Sequence, residues 1–596
     1  MRSTQRFSGY PLAREGPNTP YTPTEEKNPV LRGWSLIIAA KLVTHSSFLA
    51  KTTWSNAKLG GIKDIPGLEE YDWRLQPIVT PLVPDGVVQS KADVTPELYQ
   101  RQPDDLTGRF YSAADYHELF KAGKLTPLQV AKALLPLVSR GQNPPAKYEL
   151  AWAVTREDLV LTAAKDSTER YAAGKPLGVL DGVPIGVKDD MNVEGYISHM
   201  GLAIDSSDPF FTPATKTIWP IAQLQAAGAI VVGKLAMHEL GSDTSGCNPR
   251  WGTPVNWNNK SYYPGGSSSG AGSALSVGLI PIAVGTDAGG SIRNPSSYAG
   301  IYGLKPTLHR TYTMKSSICV IGPMAATAND LTIAYRMMTA PNPQDPIQGS
   351  FALSIPPSPT AKKTIGIYRD WFDQASPDVL ETTRKTISYL KDKLGYEVVD
   401  ITIPYIQEGQ YAHSGWALAE AFDHLRSGAA DPSNPLKNVN HCNQLLMSIG
   451  AITTGVDLIK YGQLRALIME HLAFLWKRHP GLLILTPTVP DAGWKIHPSD
   501  QAYGFSDGNL TMRNMMYVWL ANSVGCPAVS TPVGYVDPEE GEGKLPVGLM
   551  AMGEWGAEEQ LLAWAKETEA YLNEAWEGGR NRSRDWADVV EIAKDH

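Results

Sequence analysis

A repeated order of helix, glycine and buried strand is the feature that most constrains the fold of this 596-residue chain. Residues 215–227 have the pattern of a helix that stops at Gly228, and the apolar run 229–234 follows at once. The same order returns at residues 379–399 and again before the apolar run 482–485. Glycine ends helices readily, and helices that alternate with buried strands cover both faces of a sheet. The sequence therefore predicts an α/β protein with a largely parallel or mixed sheet.

The composition restricts the class of protein and its partners. Apolar residues make up 42% and charged residues 19% of the chain, as in a well-packed globular protein. The net charge of −8 and the lack of a long basic run disfavour nucleic acid and anionic membranes as partners. Four scattered cysteines without a CxxC pair indicate reduced thiols rather than disulfides or zinc. The first apolar run, at 34–40, is too short to span a membrane. We therefore expect a cytoplasmic protein without a membrane span.

The chain divides near residue 105. Residues 1–105 contain many prolines and charged residues, with one amphipathic helix predicted near residues 31–49. Such a segment is typical of an extension that wraps the outside of a domain. A lid, an arm of a homodimer and a membrane-surface helix remain as alternatives. Regular alternation of helices and strands begins near Ser112, so we place the main domain at residues 106–596.

Two Gly-Gly-Ser turns, at residues 265–267 and 289–291, enclose an apolar strand at residues 279–284. Paired glycines allow positive φ angles and close approach of the backbone, and they can aim successive N–H groups at one point. A linker between domains has no reason to contain a buried strand. The two turns therefore indicate an active site in which a serine reacts.

A serine hydroxyl needs a base before it can act as a nucleophile. None of the 12 histidines lies in a recognisable acyl-transfer motif, and no Gly-x-Ser-x-Gly turn with a downstream Asp and His stands out. His238-Glu239 lacks the second histidine of a zinc motif and is predicted to be structural. Lys188 ends the apolar run 183–187, and a lysine desolvated in this way can act as a base. The residues alone leave open that Lys188 lies along the strand end, or pairs with Asp189 or Asp190.

Four motifs follow one another in a fixed order. They are GVPIGVKD at 182–189, GGSSSG at 265–270, GTDAGGSIR at 285–293 and YGLKPT at 302–307. Together with LTPT and LPVGL nearer the C-terminus, they resemble the amidase signature family of serine hydrolases, over residues 110–575. Within that family the chain is similar to stand-alone fungal-type, acetamidase-like amidases. The resemblance implies a large mixed, mostly parallel twisted sheet sandwiched between helices, with residues 106–596 as the catalytic domain.

The resemblance also assigns roles to residues of the motifs. It implies a Ser-cis-Ser-Lys triad of Ser291 as nucleophile, Ser267 as bridging serine on a cis peptide, and Lys188 as base. Backbone amides would form the oxyanion hole, and three further side chains would support its loop. The amides are those of Ala288, Gly289, Gly290 and Ser291, and the supporting side chains are Thr286, Asp287 and Arg293.

The substrate-binding region is assigned only in outline. By resemblance, one loop binds the substrate and residues 196–201 form a second binding region. The loop residues are Gly241, Ser242, Asp243, Thr244 and Ser245. Four nearby aromatic residues are predicted mainly to pack in the interior, and Cys247 is predicted to be a buried spacer. These aromatic residues are Trp251, Trp257, Tyr262 and Tyr263.

The predicted activity is hydrolysis of the C–N bond of a linear carboxylic amide through an acyl-enzyme on Ser291, extending to esters or carbamates. The expected partner is a small-molecule amide, and the reaction needs no cofactor and no metal. Two alternatives stay open. One is the glutaminase subunit of a tRNA-dependent amidotransferase, and the other is a binding protein without catalytic activity.

Overall fold

The computed structural model describes residues 7–23, 28–83, 94–205, 208–354, 358, 360–429 and 431–596. Residues 1–6, 24–27 and 84–93 of the predicted N-terminal extension lie outside the described residues. One large sheet of eleven strands organises the described chain. Its strands are β1 (Trp152–Thr155), β2 (Pro184–Lys188), β3 (Ile230–Leu235), β4 (Ile282–Asp287), β5 (Tyr302–Lys305), β6 (Val320–Ala325), β7 (Thr364–Ile367), β8 (Glu397–Asp400), β9 (Leu482–Pro487), β10 (Ala528–Val536) and β11 (Leu545–Met552).

The strands lie in the order β8-β7-β9-β11-β10-β5-β6-β4-β2-β3-β1. Within the described sheet, four neighbouring pairs are parallel, namely β7 with β8, β7 with β9, β2 with β3 and β2 with β4. The other six pairs are antiparallel. The predicted mixed α/β sheet is thus confirmed, but the expected parallel majority is wrong. Short connections, such as residues 537–544 between β10 and β11, permit only antiparallel pairing, whereas parallel neighbours need a longer crossover.

Helices accompany the strands along the chain. They are α1 (Gly33–His45), α2 (Ser47–Asn56), α3 (Ala113–Lys121), α4 (Pro127–Val138), α5 (Glu157–Ala172), α6 (Trp219–Ala226), α7 (Ser269–Ser276), α8 (Arg293–Ala299), α9 (Ala328–Met338), α10 (Arg369–Phe372), α11 (Pro377–Leu394), α12 (Ile406–Gly428), α13 (His441–Gly450), α14 (Gly455–Arg478), α15 (Asp500–Tyr503), α16 (Gly508–Met515), α17 (Trp519–Ser523), α18 (Glu558–Ala570) and α19 (Val589–Ala593). The three predicted helix–strand units are confirmed as α6 with β3, α11 with β8, and α14 with β9. Gly395 ends α11 in the left-handed region, with its amide donating to the Leu390 carbonyl.

The N-terminal segment contacts distant parts of the chain. Its residues Phe7–Ser8 pair with Thr80–Pro81, and Leu31–Arg32 pair with Phe505–Ser506. The single helix predicted near residues 31–49 is in fact two helices, α1 and α2. Ser46 separates them because its backbone is extended and its side chain caps α2 by accepting from the Leu49 amide. The domain boundary at residue 105 stays a prediction.

No single helix among the described residues is both long enough and apolar enough to cross a bilayer. Helices α13 and α14 reach that length and composition only together, and they are bent by 86° relative to each other.

Candidate active site

The ends of two parallel strands place a lysine beside a serine. Lys188 is the last residue of β2 and Thr286 lies near the end of β4, its parallel neighbour, so both side chains reach the same edge of the sheet. Ser267 lies in the turn before α7, and the Gly266–Ser267 peptide bond is cis. The Lys188 Nζ atom is 2.7 Å from the Ser267 Oγ atom, and both side chains are buried. The first Gly-Gly-Ser turn and Lys188 therefore form one hydrogen-bonded unit.

Lys188 has three further polar contacts, with the Thr286 hydroxyl, the Thr286 carbonyl and Asp190, and the motif did not predict those with Thr286. Its Nζ atom donates to the Thr286 Oγ1 atom at 2.7 Å, and the Thr286 hydroxyl donates to Asp190 Oδ2 at 2.5 Å. The Asp190 carboxylate is also 3.5 Å from the Lys188 Nζ atom. Lys188 can thus be both a base for Ser267 and the partner of an aspartate, because it contacts both side chains. Thr286, expected to support the oxyanion loop, lies instead between the lysine and Asp190.

The turn after β4 is held by one buried carboxylate. Asp287 accepts hydrogen bonds from the Gly290 amide at 2.8 Å and the Ile292 amide at 3.1 Å. It also accepts two from the Arg293 guanidinium, at 2.9 and 3.0 Å. Burial by itself would raise the pKa of Asp287, but the Arg293 charge and hydrogen bonds and the nearby Lys305 hold that pKa well below its usual range. Asp287 and Arg293 therefore lie where the resemblance placed loop-supporting side chains.

The second Gly-Gly-Ser turn lies next to the first. The Ser268 amide donates to the Ser291 carbonyl at 3.2 Å, which joins the two turns directly. Ala288, Gly289 and Ser291 are half-buried, whereas Gly290 is buried. The Gly290 amide already donates to Asp287, so one of the four predicted oxyanion donors has an acceptor inside the protein. The sequence did not predict this engagement.

The predicted substrate loop wraps the first serine turn. The His238 amide donates to the Ser267 carbonyl at 3.1 Å, and the Gly266 amide donates to the Thr244 carbonyl at 2.6 Å. Gly241 has a positive φ of 72°, and a Cβ atom at this position would lie 3.4 Å from the Ser267 Oγ atom. Residues 241–245 thus lie against the turn of the bridging serine, and their role in binding the substrate stays a prediction.

Asp243 and Ser245 of this loop are hydrogen-bonded to each other. The Ser245 hydroxyl donates to Asp243 Oδ2 at 2.7 Å, and the Thr511 hydroxyl donates to Asp243 Oδ1 at 3.0 Å. The Ser242 hydroxyl donates to the side chain of Asn443 on α13. These contacts fix the loop from two distant segments of the chain.

Glu239, two residues before the loop, is a buried carboxyl group. Its Oε1 atom accepts from the Asn440 amide at 2.7 Å and from Asn443 Nδ2 at 3.2 Å, and Arg250 lies 3.6 Å from its Oε2 atom. Burial raises the pKa of Glu239 to about 7, because the backbone donor, the Arg250 charge and the Asn443 amide offset only part of the cost of desolvation. The structural role predicted for His238-Glu239 agrees with these contacts.

Sequence reasoning missed a histidine behind the second turn. His413 on α12 faces the turn, since a Cβ atom on Gly289 would lie 3.2 Å from its Nε2 atom and 2.9 Å from Met515 Cε. Burial, followed by the charges of Arg465 and Arg293, lowers the pKa of His413 to about 3. A hydrogen bond to the Ala288 backbone offsets only part of this lowering. A neutral imidazole thus packs on the loop, and no sequence motif marks it.

A cavity with a mixed apolar and polar lining lies beside the substrate loop. It has a volume of about 120 Å³, and Leu240, the residue before Gly241, lines it. Met200 of the second predicted binding region also lines it. The other apolar lining residues are Leu202, Phe210, Phe211, Leu425, Ala429, Pro435 and Val439. The polar and charged lining residues are Asp205, Asp208, His424, Asp431, Asn434, Lys437 and Asn438.

Three of the four neighbouring aromatic residues and the Cys247 thiol pack in the interior, whereas Trp251 is half-buried. Tyr262, Tyr263 and Trp257 are buried, and the Tyr263 hydroxyl donates to Asp500 at 3.1 Å. Burial raises the pKa of the Cys247 thiol to about 12, which keeps it protonated. Among the residues that the structure describes, no group of three His, Cys, Asp or Glu side chains could hold a metal ion.

Known proteins share this sequence and fold. A family model described as Amidase matches residues 146–562. Fatty acid amide hydrolase from Medicago truncatula is 31% identical over 516 residues, which cover 83% of this chain and 82% of that protein. A glutamyl-tRNA(Gln) amidotransferase subunit from Symbiobacterium thermophilum is 29% identical over 509 residues, which cover 79% of this chain and 100% of that protein.

Solved structures agree on the fold. A bacterial aryl acylamidase of the amidase signature family superimposes with a TM-score of 0.66 at 20% identity, over 82% of this chain and 99% of that chain. A 6-aminohexanoate cyclic dimer hydrolase superimposes with a TM-score of 0.64 at 21% identity, over 83% and 100%. The narrower resemblance to fungal-type amidases stays a prediction. Since the family model covers most of the sequence and the predicted motifs lie within it, this chain belongs to the amidase signature family of hydrolases.

Proposed function

We propose that this protein hydrolyses the C–N bond of a carboxylic amide through an acyl-enzyme on Ser291. One observation carries the proposal. The Lys188 Nζ and Ser267 Oγ atoms are 2.7 Å apart in a buried environment, and the turn containing Ser267 is joined to that of Ser291 by a backbone hydrogen bond. A lysine, a bridging serine and a half-buried serine are thus available as base, proton relay and nucleophile.

The steps follow from these roles. Ser291 attacks the amide carbonyl while its proton passes to Ser267, and the proton of Ser267 passes to unprotonated Lys188. The proton then returns by the same route to the leaving nitrogen, and a water molecule releases the acyl group from Ser291 by the reverse path. Asp190 lies close enough for its charge to compensate the proton that Lys188 takes up.

The oxyanion would be held by backbone amides of the second turn. We assign this role to Ala288, Gly289 and Ser291, and we assign the Gly290 amide to holding the loop through Asp287. Loss of a single donor in such a hole typically reduces kcat by about 10²–10³-fold. The donors are useful because they are already fixed before charge develops.

We further propose that the acyl group is a long, apolar chain. Two observations support this substrate class. Relatives named fatty acid amide hydrolase match over most of the chain, and nine of the seventeen residues that line the cavity beside the substrate loop have apolar side chains. Relatives named as subunits of a glutamyl-tRNA(Gln) amidotransferase keep glutamine as an alternative substrate.

The test is hydrolysis by the full chain of a long-chain primary amide, acetamide, an anilide, ethyl carbamate, an ester and glutamine. Ser291→Ala and Lys188→Ala are expected to fold and to lose activity by at least about 10⁴-fold. Ser269→Ala is the matched control, because it removes a hydroxyl from the same glycine-rich turn without removing a proposed reacting group. A fluorophosphonate probe should label the wild type and not Ser291→Ala.

The outcomes separate the alternatives. Wild-type activity in Ser291→Ala would refute the mechanism. Hydrolysis of glutamine alone would favour the glutaminase alternative and refute the long-chain substrate. Neither labelling nor hydrolysis by the wild type would favour a binding protein without catalytic activity.

A further inference from the structure

A second buried lysine lies beside the strand that carries Lys188. Lys234 of β3 is paired with Val187 of β2, the residue directly before Lys188. The Lys234 side chain is fully buried. A buried ammonium group is costly unless it is paired and hydrogen-bonded, so its contacts identify the groups that the fold must hold next to it. The proposed reaction does not use this lysine.

Lys234 holds the segment after β2 at two points. Its Nζ atom is 3.5 Å from Asp189 Oδ1, and it donates to the Ser198 hydroxyl at 2.9 Å. The Ser198 hydroxyl donates in turn to the Met191 carbonyl at 3.0 Å. Asp189 Oδ2 also accepts from the His199 amide at 3.2 Å, which joins the same segment to itself. Lys234 is thus bound to residue 189 directly and to residue 191 through one hydroxyl.

Residues 188–191 form a tight turn at the end of β2. The Met191 amide donates to the Lys188 carbonyl at 3.3 Å, which closes the turn. Asp190 lies between the two residues that Lys234 holds. Because a tight turn fixes the backbone angles of its central residues, the direction of the Asp190 side chain depends on both points of attachment.

The Asp190 carboxylate is the part of this turn that reaches the candidate site. It accepts from the Thr286 hydroxyl at 2.5 Å and lies 3.5 Å from the Lys188 Nζ atom. The energy of two charges falls with the distance between them, so a displaced carboxylate would compensate less of the charge on Lys188. Burial lowers the pKa of Lys234, and the charges of Asp189 and Asp190 offset part of that effect. Both carboxylates of the turn are therefore close enough to interact with Lys234.

We propose that Lys234 is a positioning residue, which aims the Asp190 carboxylate at Lys188 by holding the turn on both sides. This role rests on the proposed function, in which Lys188 is the base and Asp190 compensates the proton that it takes up. A lysine that only stabilised the fold would change the amount of folded protein. It would leave the turnover of each folded molecule unchanged.

The experiment is a double-mutant cycle in the full chain, with kcat and KM measured for the amide that the wild type hydrolyses best. Lys234→Met should lower kcat by about 100-fold with KM unchanged, as expected when a group near the reaction moves by about 1 Å. Asp190→Asn should lower kcat at least as much, because it removes the positioned charge. The double variant should then match Asp190→Asn, because the turn no longer holds a group whose position matters.

Arg580→Met is the matched control for the loss of a buried cation. Arg580 is buried and donates to the Ala326 carbonyl, directly after β6. That end of β6 is paired with the start of β4, whereas Thr286 lies near the end of β4. Arg580→Met should therefore leave kcat of the folded protein unchanged. Urea unfolding gives the folded fraction of each variant.

Crystal structures of the wild type and Lys234→Met provide a measurement that needs no activity. We expect the contact of Asp190 with the Thr286 hydroxyl in the wild type, and a separation beyond about 3.5 Å in the variant. If Lys234→Met alone does not fold, Lys234→Met with Asp189→Asn takes its place. That double variant removes both buried charges and should displace Asp190 as well.

The outcomes separate this role from the reaction itself. An unchanged position of Asp190 in the variant would overturn the proposal. So would a loss of kcat in the Lys234→Met and Asp190→Asn double variant equal to the product of the two single losses, or an equal loss in Arg580→Met. If the wild type hydrolysed no amide, the proposed function would fail, whereas a displaced Asp190 in the crystal would still support positioning by Lys234.

Discussion

Replacing Glu239 by glutamine should stabilise the folded protein relative to the wild type. This difference in the free energy of unfolding should be larger at alkaline pH than at acidic pH. The pKa of Glu239 rises from an ordinary 4.5 to about 7 on folding because the carboxyl is buried. A carboxyl group whose pKa is raised on folding contributes no penalty below the unfolded pKa. Above that value the unfolded chain loses its proton first, and stability falls as the pH rises through the folded pKa.

The magnitude follows from the size of that pKa rise. At about 1.4 kcal/mol per pKa unit, the full penalty is about 3 kcal/mol, and about 2.5 kcal/mol of it develops between pH 5 and pH 8. Glutamine keeps an oxygen that can accept from the Asn440 amide, which Glu239 Oε1 now accepts at 2.7 Å, and it cannot ionise. The free energy of unfolding of Glu239→Gln, relative to that of the wild type, should therefore rise by about 2.5 kcal/mol between pH 5 and pH 8.

Urea unfolding, followed by tryptophan fluorescence at about pH 5 and pH 8, measures the difference. The matched control is Glu194→Gln, because Glu194 is exposed and its replacement should leave the pH dependence unchanged. Parallel pH dependences for the wild type and Glu239→Gln would contradict the reasoning. So would an equal effect in Glu194→Gln. Steady-state kinetics provide a second measurement. Glu239 accepts from Asn443, which also accepts from Ser242 of the substrate loop, so ionisation of Glu239 should raise KM of the wild type above about pH 7.

Three other substitutions test the site. Thr286→Val removes the hydroxyl that accepts from Lys188, so kcat should fall by about 10–100-fold with KM unchanged, and Thr286→Ser should restore it; an unchanged kcat would contradict this role. Asp287→Asn leaves the buried Arg293 charge without its partner, so urea unfolding should show a loss of about 3–5 kcal/mol, and a loss below about 1 kcal/mol would exclude the buried ion pair. His413→Leu should keep the shape of the pH–rate profile between about pH 5 and pH 8, because the imidazole is already neutral there; a displaced acidic limb would show that it titrates.

The parts of the site that could be predicted are local in sequence. Lys188 was recognisable because it ends an apolar run, and a charged residue there must reach the edge of the sheet. The two serine turns were recognisable from their glycines, whose backbone conformations few other residues adopt; Gly265 and Gly290 have φ angles of 81° and 107°. The helix–glycine–strand units were equally local and were predicted to within a few residues.

The remainder depends on contacts between distant segments. His413 lies near Gly289 only because α12 packs behind the second turn, and no local sequence pattern predicts this contact. The antiparallel pairing of β10 with β11 depended on the length of a connection rather than on the pattern within either strand. The sequence left Asp190 open as a direct partner of Lys188. It could not indicate the contact through the Thr286 hydroxyl, because that contact requires the alignment of β2 with β4.

The position of Asp287 explains why the second turn can act without rearrangement. Its carboxylate accepts from the amides of Gly290 and Ile292, from Arg293, and from Asn522 on α17, so the backbone of the turn is fixed at several points. Each hydrogen bond forms on folding, before a substrate arrives. Orienting the remaining amides therefore requires no further free energy during the reaction. It follows that Asp287→Asn should reduce kcat even at a temperature where the variant remains fully folded. A loss of activity that merely paralleled the folded fraction would instead limit Asp287 to a role in stability.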